Sequence, residues 1–234
     1  MAQTQLKHIK LYEDSVEKTE FLFDELPEEI QDEIVDRESE SIRNSTELVE
    51  DHDWNEEVLA GFELGMEEMG WENVEVSYSG FYSQGDGASF TGDLTDGEKK
   101  RAFVKEVLGM EKFPDVIIDR VTFHIKRGDS RYVHENSVKM EIDDEERDYN
   151  DPSTEEVEIQ SFLDVVVNVN VDSMIDKIEG KASKWLKTTC IKLYDDLQEA
   201  YENYIESISD PESIADYFRR EEVLFNSDGE EIYN

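Results

Sequence analysis

An α+β fold is predicted for this 234-residue chain: a largely antiparallel sheet built from hairpins, packed against several helices including one long C-terminal helix. Three features predict it. Stretches that alternate polar and apolar residues come in neighbouring pairs joined by short glycine-bearing turns, so strands should pair locally and antiparallel. Helical periodicity sits in separate stretches instead of following single strands, as a doubly wound fold would require. From about 172 to 208 the apolar residues keep a spacing of three and four, with Gly180 as the one place where that helix would break.

The elements follow in chain order. Residues 5–12 alternate and read as a strand, and Phe21-Leu22-Phe23 as a short second one. A helix is expected up to about Asn44, with Pro27 in its first turn and Asp24, Glu25, Glu28 and Glu29 at its positive end. Leu26, Ile30, Ile34 and Arg37 share one face of it. Residues 46–52 link it to a helix over 53–69, with Asp53 and Glu56 in capping-box spacing. Trp54, Val58, Leu59, Phe62, Met66 and Met69 make its core face, and Gly70 stops it. Residues 71–82 read as a strand, 83–87 as a tight turn and 88–92 as the returning strand. Lys99–Met110 is a helix, Val116–Lys126 a strand, Arg127–Ser130 a turn and Arg131–Ile142 its return. Asp143–Thr154 is an acidic loop and Glu156–Val171 is rich in strand formers. After the long helix, Ser209-Asp210-Pro211-Glu212 caps a last helix to about Arg220, and Val223–Tyr233 forms a small hairpin. Residues 1–234 are expected to form one domain, or two closely packed lobes, with 143–172 as an acidic insertion.

Charge narrows the function. Sixty-one Asp and Glu against 23 Lys and Arg leave a net −38. Binding to nucleic acid phosphates needs cations that displace counterions, so direct nucleic-acid binding is not expected, nor is docking on anionic lipid. No apolar run approaches the ~20 residues of a membrane span, and the N-terminus lacks the apolar core of a signal peptide. One cysteine, Cys190, excludes a disulfide framework and a Cys-based zinc site. A soluble, cytoplasmic protein is expected. Eleven Phe, ten Tyr and three Trp with only four Pro argue for folding over disorder. Adaptation to high salt is a further reading of the acidity, but such surfaces should favour Asp, and here Glu exceeds Asp.

Several motifs together carry a resemblance. Phe23–Glu29, Ser79–Gly92 (SGFYSQGDGASFTG), Arg131–Val138, Leu193–Leu197 with Tyr201 and Tyr204, and Glu222–Glu230 are similar, in order, to a group of small phage and prophage proteins with no assigned activity. The resemblance implies a phage origin and no catalytic residue. The chain is more acidic than that group, and 143–172 has no counterpart in it.

The candidate sites are few. The signature turn Gln84, Gly85, Asp86, Gly87 and Ser89 is glycine-rich, but it lies between strands, no Lys follows and Asp86 repels phosphate, so it is not a phosphate loop. It reads as a turn that braces its neighbours or as a ligand contact. His124 and His134 are expected opposite each other on a hairpin, with Glu135 or Asp86 as further ligands in principle but no third one in evident position. Asp51-His52-Asp53 reads as a solvated loop, and Cys190 as a buried thiol. No nucleophile, base and orienting group line up, so neither an enzyme nor a cofactor is expected.

The acidic runs remain. A folded chain of 27.2 kDa exposes about 11,000 Å², one net charge per roughly 290 Å², whereas a DNA cylinder carries one per roughly 110 Å². The average is too dilute to pass for DNA, and mimicry requires concentration on one face. The proposed surface comprises Asp24, Glu25, Glu28, Glu29, Asp32, Glu33, Asp36 and Glu40, then Asp143, Asp144, Glu145 and Glu146, then Asp195, Asp196, Glu199 and Glu202. The expected function is inhibition of a basic, nucleic-acid-binding host protein such as a CRISPR effector, restriction enzyme or nuclease. The alternatives are a small-ligand or signalling-nucleotide sponge near Arg127 and Arg131, and an acidic interaction protein without mimicry. A homodimer is expected from the aromatic surplus of Trp185, Tyr194, Tyr201 and Tyr204 on the long helix.

Overall fold

Val121, Phe123 and Ile125 turn to one side of a strand and His124 and Lys126 to the other, as the period of two requires. That strand lies near the centre of the main sheet in a computed structural model, which describes residues 19–45, 48, 54–144 and 171–232. The fold is α+β. The described residues form six helices, a four-stranded antiparallel sheet and a two-stranded one. They group into two compact units, one drawn from 1–51 and 202–234, the other from 52–201.

The first unit joins β1 (Phe21–Leu22), a 3₁₀ turn (Phe23–Glu25), α1 (Glu28–Asn44), α6 (Pro211–Arg220) and β6 (Leu224–Phe225). β1 and β6 pair antiparallel, Phe21 with Phe225. Phe23, Leu26, Ile34, Val35, Ile214, Ala215, Phe218 and Phe225 form its core. Pro27 precedes the first turn of α1 as its N-cap. Asp210 caps α6 by accepting the N–H groups of Glu212 and Ser213. The tail folds back as a hairpin, Asn226 N–H donating to Glu230 O at 2.9 Å. Its Gly229 has φ +76°, and a Cβ there would lie 2.9 Å from Ile30, so only glycine fits.

The second unit holds α2 (Glu56–Glu68), β2 (Glu72–Tyr78), β3 (Ala88–Leu94), α3 (Gly97–Ala102), α4 (Asp115–Ile118), β4 (Val121–Arg127), β5 (Val138–Asp144) and most of α5 (Val171–Ile208). The sheet order is β2-β3-β4-β5. Phe90, Leu94, Val121, Phe123, Ile125, Val138 and Met140 from the sheet share one core with Ile178, Ala182, Leu186 and Cys190 of α5 and with Trp71 and Phe103. Trp71 stacks on Trp185 at 5.6 Å. The buried Lys100 ammonium donates to Val121 O at 2.7 Å.

Several boundaries differ from the sequence expectation, each for a local reason. The strand expected over 71–82 ends at Tyr78. Ser79 N–H donates to Gly87 O, and the Asp86 carboxylate accepts the N–H groups of Tyr82 and Ser83, so those donors leave the ladder. The strand expected from Val116 begins at Val121, because Pro114 O accepts from Ile117 and Ile118 and closes a short helix first. The helix expected over 99–110 is α3 followed by a π-turn over Phe103–Val107, with Leu108 N–H donating to Phe103 O. The helix expected over 53–69 begins at Glu56, after Asn55. The turn expected at 127–130 is a loop over 128–137, closed by Gly128 N–H to Ser137 O at 2.8 Å, so the return strand starts at Val138. α5 passes Gly180 unbroken and already includes Val171. The strand at 5–12, the link at 46–52 apart from Leu48, the capping role of Asp53, and residues 145–170 lie outside the described residues.

Candidate functional site

Acidity is unequally divided. The 59 described residues of the first unit carry 20 Asp and Glu against four Arg, a net −16, and the 122 of the second carry 26 against 15 Lys and Arg, a net −11. Seven of the first unit's 20 acids lie on α1, beside Arg37 and Arg43 on the same helix. Its inward side is taken by Ile34, Val35 and Ser39, whose hydroxyl donates to Ser209 O at 2.9 Å. Helical spacing then turns Glu28, Glu29, Asp32, Glu33, Asp36 and Glu40 outward, and all six are exposed. Among the described residues none of the six forms an ion pair.

The unit's four arginines each make a bond to another group. Arg37 donates to Gly229 O at 2.7 Å and Arg43 to Ser209 Oγ at 3.2 Å. Arg219 holds Asp24 and Asp216 at 2.9 Å each, and those carboxylates raise its pKa. Arg220 holds Glu221. Glu25 accepts Leu22 N–H at 2.8 Å. Asp24 and Glu25 are therefore occupied in local structure, and the six α1 carboxylates are the open ones.

The rest of the expected surface divides. Asp195, Asp196 and Glu199 are exposed on the second-unit part of α5, Glu202 is exposed on its first-unit part, and Asp143 is exposed on β5. Asp144 ends β5. Glu145, Glu146 and the Asp51-His52-Asp53 stretch lie outside the described residues.

The signature turn is part of a nine-residue loop, 79–87, that packs on the 128–137 loop. A Cβ on Gly85 (φ +107°) would lie 2.8 Å from the Tyr132 ring, and one on Gly87 2.6 Å from His134 Cβ and 2.8 Å from Val133 O. Phe81 turns inward onto Trp54, Tyr194 and Tyr201, with ring centres 5.2–5.7 Å away. Tyr82 and Tyr132 are left 70% and 55% exposed. Ser89 is buried in β3 and Gln84 is exposed. Arg127 and Arg131, on the same loop as Tyr132 or beside it, are exposed and form no ion pair among the described residues. Sequence periodicity could not show this pairing of loops. The glycines at 85 and 87 were its visible trace, though they read as turn formers.

The expected histidine pair is not formed. His124 faces Glu141 across the ladder, because the longer loop moves the register and leaves His134 outside the strand. His124 Nδ1 lies 2.6 Å from Asp93 and Nε2 3.5 Å from Asp143. That hydrogen bond is the main reason the Asp93 carboxyl sits below its ordinary pKa. His134 Nδ1 accepts Asn136 N–H at 3.0 Å, which places the proton of the neutral ring on Nε2. Among the described residues no three His, Cys, Asp or Glu side chains are arranged to hold a metal ion. Asp93 was missed as the partner of His124 because only strand register reveals it.

Beside His124 and Asp93 on the outer sheet face, Lys126 and Lys139 both hold Glu141, at 2.7 and 2.5 Å, and lower its pKa to about 2. Cys190 is fully buried, and burial pushes its thiol up to about 12, as expected for a packing residue. An open cleft of about 530 Å³ is lined by Glu63, Glu67, Glu72, Asp96, Lys99 and Trp71. Its Asp96 is already used as the α3 cap, accepting Lys99 N–H at 2.9 Å. No helix among the described residues is long and apolar enough to cross a membrane.

A family model described as a domain of unknown function (DUF8835) matches residues 52–207. No curated protein and no solved structure matches the chain.

Proposed function

The chain belongs to the DUF8835 family, and we propose that it is a phage-encoded, non-enzymatic inhibitor that engages a basic, nucleic-acid-binding host protein through the acidic first unit, in the cytoplasm of the infected cell. One observation carries this reading: six exposed carboxylates without ion-pair partners among the described residues run from Glu28 to Glu40 on one helix. At 1.5 Å per residue that run is about 18 Å long, or one charge per roughly 3 Å. One strand of DNA carries one per about 3.4 Å of axis. Acids more concentrated on α1 than in the whole-chain average support the reading. A groove lined with Arg and Lys to track a phosphate strand would find matching charge spacing there. Two of the first unit's arginines hold Asp24, Asp216 and Glu221, and the two on α1 donate to Gly229 O and Ser209 Oγ; among the described residues none forms an ion pair with the six carboxylates.

The test is competition against a nucleic-acid-binding host target over a salt series. The reading expects binding that weakens steeply with salt and is displaced by excess DNA or RNA. Binding that weakens with salt but ignores nucleic acid favours an acidic interaction protein without mimicry, and binding indifferent to both contradicts the proposal.

A second reading rests on the paired loops. Exposed Tyr82 and Tyr132, with Arg127 and Arg131 in no ion pair among the described residues, are residue types that stack on bases and hold phosphate, so a signalling nucleotide is the ligand class they suit. Calorimetry with cyclic nucleotides decides it. Heat of binding that Tyr132→Ala and Arg131→Ala abolish supports it, and no heat removes it.

A further inference from the structure

Five of the chain's 14 lysines lie between Lys177 and Lys192 on α5, in a protein otherwise dominated by acids. The inward face of this helix is fixed by Ile178, Ala182, Leu186, Cys190, Leu193 and Leu197, all at 1% exposure or less. Half a turn away runs a stripe of exposed residues: Lys184, Thr188, Ile191, Asp195 and Glu199. Their spacing of four, three, four and four keeps them on one helical line, wholly within the second unit. Lys177 and Lys181 extend the line at its N-terminal end, and Lys181 also donates to Leu108 O at 2.8 Å. Along this line the charge changes sign once. Ile191, 49% exposed, stands at the change. Among the described residues Lys184, Asp195 and Glu199 form no ion pair.

A polyanion or a polycation would suit a stripe of single sign. A stripe that reads cation, apolar, anion is complementary to itself reversed. A two-fold axis through Ile191 lays a second copy antiparallel, so every contact is made twice. Lys184 of one copy then meets Glu199 of the other, Thr188 meets Asp195, and Ile191 packs on its own mate.

We propose that this α5 stripe is an antiparallel, two-fold self-association surface for two copies of the chain, independent of the acidic-unit reading. Three of the four aromatics expected to drive dimerisation are used within the second unit. Tyr201 is buried, Trp185 stacks on Trp71, and Tyr194 packs on Phe81. One helical stripe is a small interface, in the class of weak and reversible contacts. The net charge opposes association until salt shortens the screening length to about 8 Å, near physiological strength.

Sedimentation velocity across a concentration series at that salt tests it with the full chain, Lys184→Glu, Glu199→Lys and the double variant. Circular dichroism checks that these exposed substitutions leave the helix intact. The proposal expects a mass that rises to twice the monomer's. Each single substitution puts like charges opposite each other at two symmetric places and should weaken association about tenfold or more. The double variant swaps both partners and should restore it to within about threefold. A second readout is oxidation of Ile191→Cys, which should trap a covalent dimer, while Leu64→Cys, more exposed but on α2, should not. A chain that stays monomeric to about 1 mM, a dimer indifferent to both single substitutions, or a double variant as weak as the singles overturns the proposal.

Discussion

The two units spend their sequence differently. The first spreads a net −16 over 59 described residues around eight buried apolar side chains, and the second spreads −11 over 122 around a core of nineteen. Self-repulsion is therefore densest where the hydrophobic core available to offset it is smallest. An arrangement selected for stability alone would place the charge the other way round. The family match covers the large core and leaves α1 outside. The larger core thus lies in the second unit and the denser charge in the first.

The largest expected effect comes from the cores. Phe123→Ala in the second unit and Phe23→Ala in the first each remove a fully buried ring and should cost about 3–5 kcal/mol by denaturant unfolding. Hydrogen exchange distinguishes the two. Phe23→Ala should loosen α1 amides more than those of β4, and equal loss in both would erase the distinction between the units. Next come the glycines. Gly87→Ala drives a Cβ into His134 Cβ and Val133 O and should cost about 1–3 kcal/mol, whereas Gly61→Ala, with open space around it in α2, should stabilise by about 0.5–1 kcal/mol. If the two substitutions cost the same, the loops at 79–87 and 128–137 do not brace each other.

Salt separates the units more finely. Raising ionic strength from about 0.01 to 0.15 M shortens the screening length from about 30 to 8 Å. Exchange protection in α1 should rise more than in β4, and the reverse order would mean that self-repulsion is not densest in the first unit. The smallest effect is a pH dependence. Glu141 is held by Lys126 and Lys139 with its pKa lowered from 4.5 to about 2. A depressed carboxylate contributes stability above its unfolded pKa and loses it as pH falls through the folded one. The gap in melting temperature between wild type and Glu141→Gln should therefore be full above about pH 4.5 and shrink toward pH 2, and a gap that does not change with pH counts against the triad.

Legibility in the sequence followed the range of the forces involved. The α+β class, the Gly70 stop, the Asp210 cap, the inward faces of α2 and α5 and the buried Cys190 depend on neighbours within a turn or two, and periodicity shows them. The end of β2 at Tyr78 depends on Asp86 reaching back to Tyr82 and Ser83, and the start of β5 depends on the 128–137 loop meeting Gly85 and Gly87. Such contacts leave no period. The same displaced register defeated the His124–His134 pairing and hid Asp93. On the acidic surface, exposure of α1 was readable from its stripe, but which carboxylates are spent on local bonds was not. Asp24 is taken by Arg219 from 195 residues away. The sign change along α5 was present in the residues from Lys184 to Glu199, obscured by a net charge summed over the whole chain.

On the proposed function, the place of the negative charge, and not its amount, makes the binding surface. Its most direct test compares two variants with the same loss of charge against a fluorescent arginine-rich nucleic-acid-binding protein, read by anisotropy at constant salt. One neutralises Glu29, Glu33, Asp36 and Glu40 on α1 as Gln or Asn. The other neutralises Glu57, Glu63, Glu67 and Glu68, exposed on α2, as Gln. The α1 variant should lose about tenfold or more in affinity and the α2 variant less than about threefold, since exposed pairs are each worth little but act together along one track. Equal losses in the two variants would contradict the proposed function.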